Sequence, residues 1–254
     1  MIPHIAWERR GSGPAVVLVH GLGYARWGWE PVIDALAERC EVVLLDNRGI
    51  GASDAPPGPY TVAEMAGDVL RVMDEAGLER AHVVGTSLGG MIAQELALSS
   101  PERVEKLVLV CATPGGPHAA PMPEVTVTLL AEAPGLEPFV ALRRFVENAL
   151  APDPPDETVE RILAHRLATA QSPAAWMAQA AAGAAFDAWD RLPELAAPTL
   201  VVHGTADVVV APANAQLLAE RIPGADIEWF EGCGHLLFWE EPERFVEVVG
   251  EFLA

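Results

Sequence analysis

Short apolar runs alternate with amphipathic stretches along most of the chain. Runs rich in Val and Leu, several of them ending at a glycine, predict buried strands at residues 16–19, 41–45, 81–84, 106–110, 199–202 and 226–230. Helical periodicity predicts helices at residues 61–76, 88–100, 213–221 and 242–253, and Thr61 with Glu64 forms a capping-box signal for the first of them. This alternation predicts an α/β fold with a mostly parallel, twisted sheet and helices on both faces.

One long segment, residues 114–193, has no convincing strand pattern. It is rich in Ala and Arg and is interrupted by prolines at positions 134, 138, 152, 154, 155 and 173, so several short helices are expected there. We expect this segment to form a helical cap, or lid, inserted in a core made of residues 1–113 and 194–254. The simpler alternative is a helical subdomain that only packs on the sheet.

Composition and charge narrow the class of protein. Hydrophobic residues make up 51% of the 254 positions, which predicts a packed globular interior. The net charge of −20 disfavours nucleic acid and anionic membranes as partners and leaves a small-molecule substrate as the expectation. No apolar run approaches the roughly 18 residues of a membrane span. Three widely spaced cysteines and the lack of a signal-peptide pattern favour a cytoplasmic protein, whose oligomeric state the sequence does not indicate.

Residues 85–89 read Gly-Thr-Ser-Leu-Gly, which is the pattern G-x-S-x-G. The pattern lies between a predicted strand and a predicted helix, where small flanking residues allow the sharp turn that exposes a serine. Ser87 would then stand at the positive end of the helix dipole. This context favours a nucleophilic serine over a glycine-rich turn with a capping serine.

A serine nucleophile needs a base, and the base needs an acid that orients it. His235 follows the last predicted strand in Gly-Cys-Gly-His, and Asp207 follows the strand before it in Gly-Thr-Ala-Asp. Because the carboxyl ends of parallel strands meet at one edge of a sheet, we expect these side chains to converge with Ser87. Each residue alone has a structural reading as a turn or cap residue, but together they predict a catalytic triad.

An oxyanion hole needs two backbone N–H groups. One is expected from Leu88, which follows the serine, and the other from Leu22 in the loop His-Gly-Leu-Gly after the first predicted strand. The glycines of that loop allow its backbone to approach a substrate closely. His20 is expected to brace the loop, because His235 has the better position for a base.

With these motifs, the chain resembles the α/β-hydrolase superfamily with a helical cap over nearly its whole length, the cap alone resisting alignment. Residues 46–54, Asp-Asn-Arg-Gly-Ile-Gly-Ala-Ser-Asp, are similar to the D-x-R-G-x-G-x-S segment of that superfamily, for which the resemblance implies a structural role. Residues 55–61 and 89–94 are similar to 3-oxoadipate enol-lactonases and related small esterases, including carboxylesterases.

Residue chemistry and resemblance together predict a serine hydrolase that cleaves carboxylic esters of small or medium, mostly apolar substrates through an acyl-enzyme. That mechanism needs no metal and no organic cofactor. A lactonase is the first alternative, followed by a carbon–carbon bond hydrolase, a perhydrolase and a low-turnover ligand receptor on the same fold. Ser87 argues against the dehalogenases and epoxide hydrolases of this superfamily, which use an aspartate nucleophile. The lack of a lysine in the cap argues against a hydroxynitrile lyase.

The substrate pocket is expected to be mostly apolar. The candidate lining residues lie in the cap or beside a predicted site residue, and they are Gly21, Phe139, Trp176, Val209 and Leu236. The structural alternative for the two aromatic side chains is that they hold the cap helices together. Arg143 and Arg144 are adjacent and so face different directions on a helix, which indicates no clear cation for an anionic substrate.

Overall fold

A seven-stranded sheet forms the centre of the computed structural model, which describes residues 2–254. The order of strands in the sheet is β1-β3-β2-β4-β5-β6-β7, and their bounds are β1 (Trp7–Gly11), β2 (Ala15–Val19), β3 (Glu41–Leu45), β4 (Ala81–Thr86), β5 (Val104–Val110), β6 (Thr199–Gly204) and β7 (Asp226–Phe230). β1 runs antiparallel to β3, and the other neighbouring pairs are parallel. The prediction of a mostly parallel α/β sheet is confirmed.

Helices cover both faces of this sheet. Within the described chain they are α1 (Glu30–Ala37), α2 (Val62–Glu75), α3 (Leu88–Ser99), α4 (Glu124–Glu132), α5 (Pro138–Asn148), α6 (Asp156–Ala168), α7 (Pro173–Ala184), α8 (Ala213–Arg221), α9 (Leu237–Glu240) and α10 (Pro242–Leu253). Along β2, Val17 and Val19 pack with α2, α3 and α8, whereas Val16 and Leu18 pack with α1 and α10. This alternation is typical of a strand buried on both faces. None of the helices described between residues 2 and 254 is both long and apolar enough to span a membrane.

The sequence pattern missed the first strand and the first helix. β1 reads Trp-Glu-Arg-Arg-Gly and lies at the edge of the sheet, where its last three residues are exposed. An edge strand needs no apolar run, so its sequence carries no strand signal. α1 spans only about two turns, which is too short for a clear helical periodicity.

The described chain between β5 and β6 forms four helices, α4 to α7, as expected for residues 114–193. The two ends of this segment lie side by side. The Gly116 N–H donates to the Phe186 carbonyl at 2.9 Å, and the Ala188 N–H donates to the Pro114 carbonyl at 3.0 Å. Side chains of α7 join the apolar cluster on one face of the sheet, and side chains of α5 and α6 join the cluster on the other. The segment therefore packs against both apolar clusters, and its two ends are held side by side.

Buried polar contacts fix the loop after β3, residues 46–54. The Asp46 carboxylate accepts the N–H groups of Arg26 at 2.8 Å and Ala52 at 2.9 Å. The Arg48 guanidinium donates to both carboxylate oxygens of Asp68 at 2.5 and 2.8 Å, and both side chains are buried. These contacts are structural, which agrees with the role that the resemblance implied for this loop.

Candidate active site

Ser87 lies in the tight turn between β4 and α3. Its backbone has a φ of 55° and a ψ of −121°, a conformation that is strained for a residue with a side chain. The Ser87 N–H donates to the Val110 carbonyl at the end of β5 at 2.9 Å, which holds the turn against the sheet edge. Ser87 is partly exposed, whereas Thr86 and Leu88 on either side are buried. The turn therefore presents the serine and hides its neighbours.

Two glycines next to this turn are required by close packing. A Cβ on Gly89 would lie 2.1 Å from the carbonyl oxygen of Val19, and a Cβ on Gly21 would lie 2.9 Å from the Cβ of Ser87. Interiors packed at this density have no room for an added methyl group. The small residues of both motifs therefore let the loop after β2 approach Ser87.

Asp207 and His235 are joined by a hydrogen bond between neighbouring strand ends. Nδ1 of His235 lies 2.7 Å from Oδ2 of Asp207, and both side chains are buried. Asp207 follows β6 and His235 follows β7, which are adjacent in the sheet. Within residues 2–254 no hydrogen bond joins the Ser87 hydroxyl to His235. Of the three candidate catalytic side chains, Asp207 and His235 are the two that are hydrogen-bonded to each other.

Asp207 carries a buried negative charge. Burial raises the pKa of Asp207, but the charge of His235 and hydrogen bonds from His203 and His235 outweigh burial and hold the pKa well below its ordinary value. Its Oδ1 accepts the N–H groups of Val209 and Val210 at 2.8 and 2.9 Å. Asp207 is therefore ionised at neutral pH and able to orient and stabilise a protonated His235.

Two backbone N–H groups near Ser87 have no hydrogen-bond partner within the described part of the chain. Leu88 is the first residue of α3, where a helix leaves its N–H groups unpaired. Leu22 lies in the loop after β2, next to Gly21. These are the two donors predicted for an oxyanion hole, and the positive end of α3 strengthens the field at that point.

His20 fills the base of the loop after β2. Its ring is buried against the rings of Tyr24, Trp29 and Phe238, with centroid distances of 4.7, 5.1 and 5.7 Å. Its Nδ1 accepts the Gly21 N–H at 2.7 Å. Burial lowers the pKa of His20 from 6.5 to about 3, so the ring is neutral at physiological pH. These contacts brace the loop, and no proton-transfer role is needed to account for them.

The buried His20 is expected to make the protein less stable as the pH falls below 6.5. The unfolded chain protonates His20 near pH 6.5 and the folded chain only near pH 3, so the unfolded state binds more protons in between. The free energy of unfolding should then fall by up to about 1.4 kcal/mol per pH unit from this group. Urea denaturation at pH 7, 6, 5 and 4 measures this slope.

His20→Asn is the matched variant for this measurement. Its side-chain oxygen can accept the Gly21 N–H as Nδ1 does, but the amide does not titrate. We expect His20→Asn to be less stable at pH 7, because stacking is lost, and to show a flatter pH dependence. Parallel stability curves for the two proteins would contradict the assignment of a neutral, buried His20.

Three of the predicted pocket residues border the candidate catalytic residues. Val209 donates its N–H to Oδ1 of Asp207 at 2.8 Å and packs at the edge of an apolar cluster. Gly21 faces Ser87, because a Cβ added to Gly21 would lie 2.9 Å from the Cβ of Ser87. Leu236 follows His235, is buried, and donates its N–H to the Ala149 carbonyl at 2.9 Å. The loop that carries His235 is thus tied to the segment between β5 and β6.

The other two predicted pocket residues lie on helices between β5 and β6. Trp176 in α7 is partly buried. Phe139 lies near the start of α5 with 48% of its surface exposed. The helical phase of α5 decides this, and it depends on packing that the sequence pattern does not encode.

Sequence reasoning missed two polar residues near the site. His203, at the end of β6, is fully buried, and its Nε2 lies 3.1 Å from Oδ2 of Asp207. A histidine in an otherwise apolar strand, directly before a glycine, was the available signal for it. Arg166 in α6 approaches the loop after β2, where its Nη1 lies 2.8 Å from the position that a Cβ on Gly23 would take. No sequence signal indicated Arg166, because its position depends on how α6 packs.

Cys111, His203 and Asp207 are the one group of potential metal ligands found among the described residues. Their ligand atoms lie within 4.8 Å of one another, and all three side chains are buried. Oδ1 and Oδ2 of Asp207 already accept four N–H groups between them. Burial and the charge of Asp207 raise the pKa of the Cys111 thiol well above its ordinary value, so Cys111 does not supply a thiolate. This donor set does not fit a metal ion.

The fold and this arrangement of residues define the class of protein. The family described as the alpha/beta hydrolase fold matches residues 14–242, and the chain belongs to that family. Among similar proteins, one from Caulobacter segnis named "Putative carbamate hydrolase RutD" is 36% identical over 260 residues, which cover 98% of this chain and 96% of the relative. The pimeloyl-[acyl-carrier protein] methyl ester esterase of Aeromonas hydrophila is 32% identical over 260 residues, which cover 98% and 99%.

A solved structure extends the comparison. The enol-lactonase from Burkholderia xenovorans LB400 superimposes with a TM-score of 0.83 at 29% sequence identity, over 98% of this chain and 96% of that chain. The chain is thus a hydrolase of the α/β fold, similar to proteins named as esterases and as a lactonase.

Proposed function

We propose that the protein is a serine hydrolase that cleaves carboxylic esters of small or medium, mostly apolar substrates, with Ser87, His235 and Asp207 as its catalytic triad. The observation that carries the proposal is the buried Asp207–His235 hydrogen bond of 2.7 Å, at the sheet edge that also holds the strained Ser87 turn. An ionised Asp207 that accepts a hydrogen bond from Nδ1 of His235 favours the tautomer in which Nε2 of His235 is free to accept a proton.

The proposed reaction proceeds through an acyl-enzyme. His235 Nε2 takes the hydroxyl proton of Ser87 as the serine oxygen attacks the acyl carbon. The N–H groups of Leu22 and Leu88 bind the oxyanion, an interaction worth about 3 kcal/mol per donor in such sites. His235 then gives its proton to the leaving alcohol. A water molecule, deprotonated by His235, hydrolyses the acyl group and restores Ser87.

The proposal includes a cap, residues 114–193, on a core of residues 1–113 and 194–254. Contacts of α6 and of the residue that follows it support this division. Trp27, beside the loop after β2, donates its Nε1–H to Thr169 at 2.7 Å, and its ring stacks on His165 with centroids 4.8 Å apart. A segment held on the loop that supplies an oxyanion donor is suitably placed to cover a bound substrate and exclude water.

The names of the similar proteins favour acyl transfer to water but differ in the bond that is cleaved. They refer to a methyl ester, a carbamate and an enol-lactone. In each of these compounds the carbonyl carbon carries a heteroatom leaving group, which a serine acyl-enzyme mechanism handles with the same residues. The substrate class is therefore a question of the pocket and not of the triad.

Arg166 favours a lactonase or another hydrolase of anionic acyl compounds as the second candidate. Among residues 2–254, no Asp or Glu carboxylate lies within 4.0 Å of its guanidinium, although the chain has a net charge of −20. Its Cζ lies 5.0 Å from the centre of the ring of Tyr24, a residue that closely follows Leu22 in the loop after β2. A guanidinium that contacts Tyr24 but has no carboxylate partner within residues 2–254 is available to bind a substrate carboxylate in a bidentate manner.

A hydrolysis panel tests the proposed function. It compares neutral p-nitrophenyl esters, neutral lactones, an anionic enol-lactone, a carbamate and a vinylogous diketone at equal concentrations. The proposal predicts the highest kcat/KM for short neutral esters. A preference for the anionic enol-lactone would move the assignment to the second candidate. Cleavage of the diketone alone would contradict both, and a burst of acylation without turnover would indicate a receptor.

Arg166→Met should lower kcat/KM selectively for anionic substrates. The test pair is the mono-p-nitrophenyl ester of succinate and p-nitrophenyl butyrate, which differ mainly in a carboxylate. Loss of a charge-assisted hydrogen bond predicts a fall of about 10- to 100-fold for the anionic ester. The neutral ester should change little, because the methionine preserves the apolar stem.

Arg144→Met is the control for this prediction. Arg144 lies in α5 and already pairs with Glu132 at 2.8 Å, so its removal should leave both esters equally active. If Arg166→Met lowers kcat/KM for the two esters by the same factor, Arg166 does not recognise a carboxylate.

A further inference from the structure

A second histidine contacts the acid of the proposed triad. We propose that His203 is a positioning residue for Asp207. Its Nε2–H donates to Oδ2, the oxygen that also accepts from His235. This contact fixes the orientation of the carboxylate and weakens its stabilisation of a protonated His235. This inference rests on the proposed function, because it concerns the same reaction and the same acid. His203 itself does not touch the reacting atoms.

The surroundings of His203 determine which of its two ring nitrogens donates a hydrogen bond. Nε2 lies 3.1 Å from Oδ2 of Asp207 and 3.0 Å from the Val210 carbonyl oxygen. Both are acceptors, so Nε2 must carry a proton. Nδ1 is buried without a partner in the described chain, and a proton on it would be a buried donor with no acceptor. The geometry therefore assigns Nε2 as the nitrogen of His203 that donates.

The four N–H donors on Asp207 divide into two kinds. Oδ1 is held by the backbone N–H groups of Val209 and Val210. Oδ2 is held by His235 at 2.7 Å and by His203 at 3.1 Å.

Cys111, directly after β5, and Glu240 in α9 are the other titratable groups near the Asp207 carboxylate, and the Cys111 thiol is a weak donor to it. Without His203, the one strong donor left on Oδ2 would be His235, which Asp207 is supposed to orient. His203 belongs to β6, so it can hold Oδ2 in place independently of the orientation of His235.

The same contact affects the base electrostatically. A donor on Oδ2 draws negative charge toward itself, so the oxygen stabilises a protonated His235 less strongly. Removal of the donor concentrates the charge on His235 and makes the base easier to protonate. The acid limb of the kcat/KM profile, which reports protonation of the base in the free enzyme, should then move to higher pH.

A purely structural role for His203 predicts a different result. Its bond to the Val210 carbonyl also braces the loop that follows β6, and loss of this brace alone would lower stability and turnover. It would not move the acid limb of the pH profile. The pH profile therefore separates positioning of the acid from bracing of the loop.

The experiment compares His203→Leu, His203→Gln and the control His82→Leu. Gln can place an amide N–H near the position of Nε2, whereas Leu places no donor there. His82 is another buried strand histidine with an unpartnered Nδ1, but it lies near the opposite end of β4 from Ser87. For His203→Leu we expect kcat about 10- to 100-fold lower and an acid limb moved upward by about half a pH unit. The acid limb of the kcat/KM profile should lie at the wild-type pH in His203→Gln and in His82→Leu.

Two further measurements keep the outcome decisive if His203→Leu does not fold. The nitrogen-15 spectrum of histidine-labelled wild-type protein should show that Nε2 of His203 carries a proton, and an Nδ1–H tautomer would overturn the proposal. Acid limbs that coincide in wild type, His203→Leu and His203→Gln would also overturn it. Ser87→Ala is assayed in parallel: if it is inactive and the limbs coincide, only the role of His203 fails. If Ser87→Ala keeps full activity, the triad and the role of His203 fail together.

Discussion

Replacing Ser87 by alanine is expected to lower kcat for ester hydrolysis by roughly 10⁶-fold, the loss seen when a nucleophilic serine is removed from a triad. The hydroxyl is the group that the strained turn presents, and no other side chain of the proposed mechanism can form the acyl-enzyme. The fold should be unaffected, because alanine keeps the Cβ that already fits against Gly21. Initial rates with p-nitrophenyl butyrate, combined with a thermal melt, measure both effects.

Ser99→Ala provides the control for Ser87→Ala. Ser99 is the last residue of α3 and is exposed, so this change removes a serine hydroxyl from the same helix region without touching the turn. It should retain wild-type turnover. If Ser87→Ala keeps more than a small fraction of the wild-type kcat, the serine does not carry the reaction.

Asp207→Asn is expected to lower kcat about 10⁴-fold, since an amide forces the wrong tautomer on the base. Each carboxylate oxygen faces two N–H donors, so a side-chain NH₂ would face two donors in either orientation. The less costly outcome is that His235 accepts from the amide through Nδ1 and carries its proton on Nε2. In that state Nε2 cannot take the proton of Ser87.

Asp46→Asn separates this effect from a general loss of a buried carboxylate. Asp46 is also buried and accepts backbone N–H groups, but it lies in the loop after β3 and outside the proposed triad. We expect both variants to lose stability and only Asp207→Asn to lose turnover per folded molecule, with folded protein quantified by circular dichroism. Asp207→Asn turnover within tenfold of wild type would show that the acid is not needed.

Most of the sheet could be predicted from the sequence because its strands are buried on both faces. Val and Leu runs mark β2 to β6, and a shorter apolar and aromatic pattern marks β7 at the far edge. Each predicted run lies within a strand of the structure or coincides with one. β1 escaped prediction because an edge strand with exposed charges carries no such run. The parallel arrangement then placed Asp207 and His235 at adjacent strand ends, where they form their hydrogen bond.

The surroundings of the site were less predictable, because they depend on how helices pack between β5 and β6. Helical periodicity does not fix which face of α5 turns inward, and Phe139 lies exposed. The position of Arg166 against the loop after β2 depends on the same packing. His203 could have been found, since a polar residue in a buried strand needs a partner, and the neighbouring Asp207 supplies one.

Acyl-enzyme trapping tests the central claim, that Ser87 is the nucleophile, most directly. Wild-type protein is mixed with excess p-nitrophenyl butyrate, quenched in acid within the first turnover, digested and mapped by mass spectrometry. We expect one butyryl group per molecule, located on the peptide that contains Ser87, in an amount equal to the burst of released p-nitrophenol. A butyryl group on another residue, or steady hydrolysis with no modified Ser87 peptide, would contradict it.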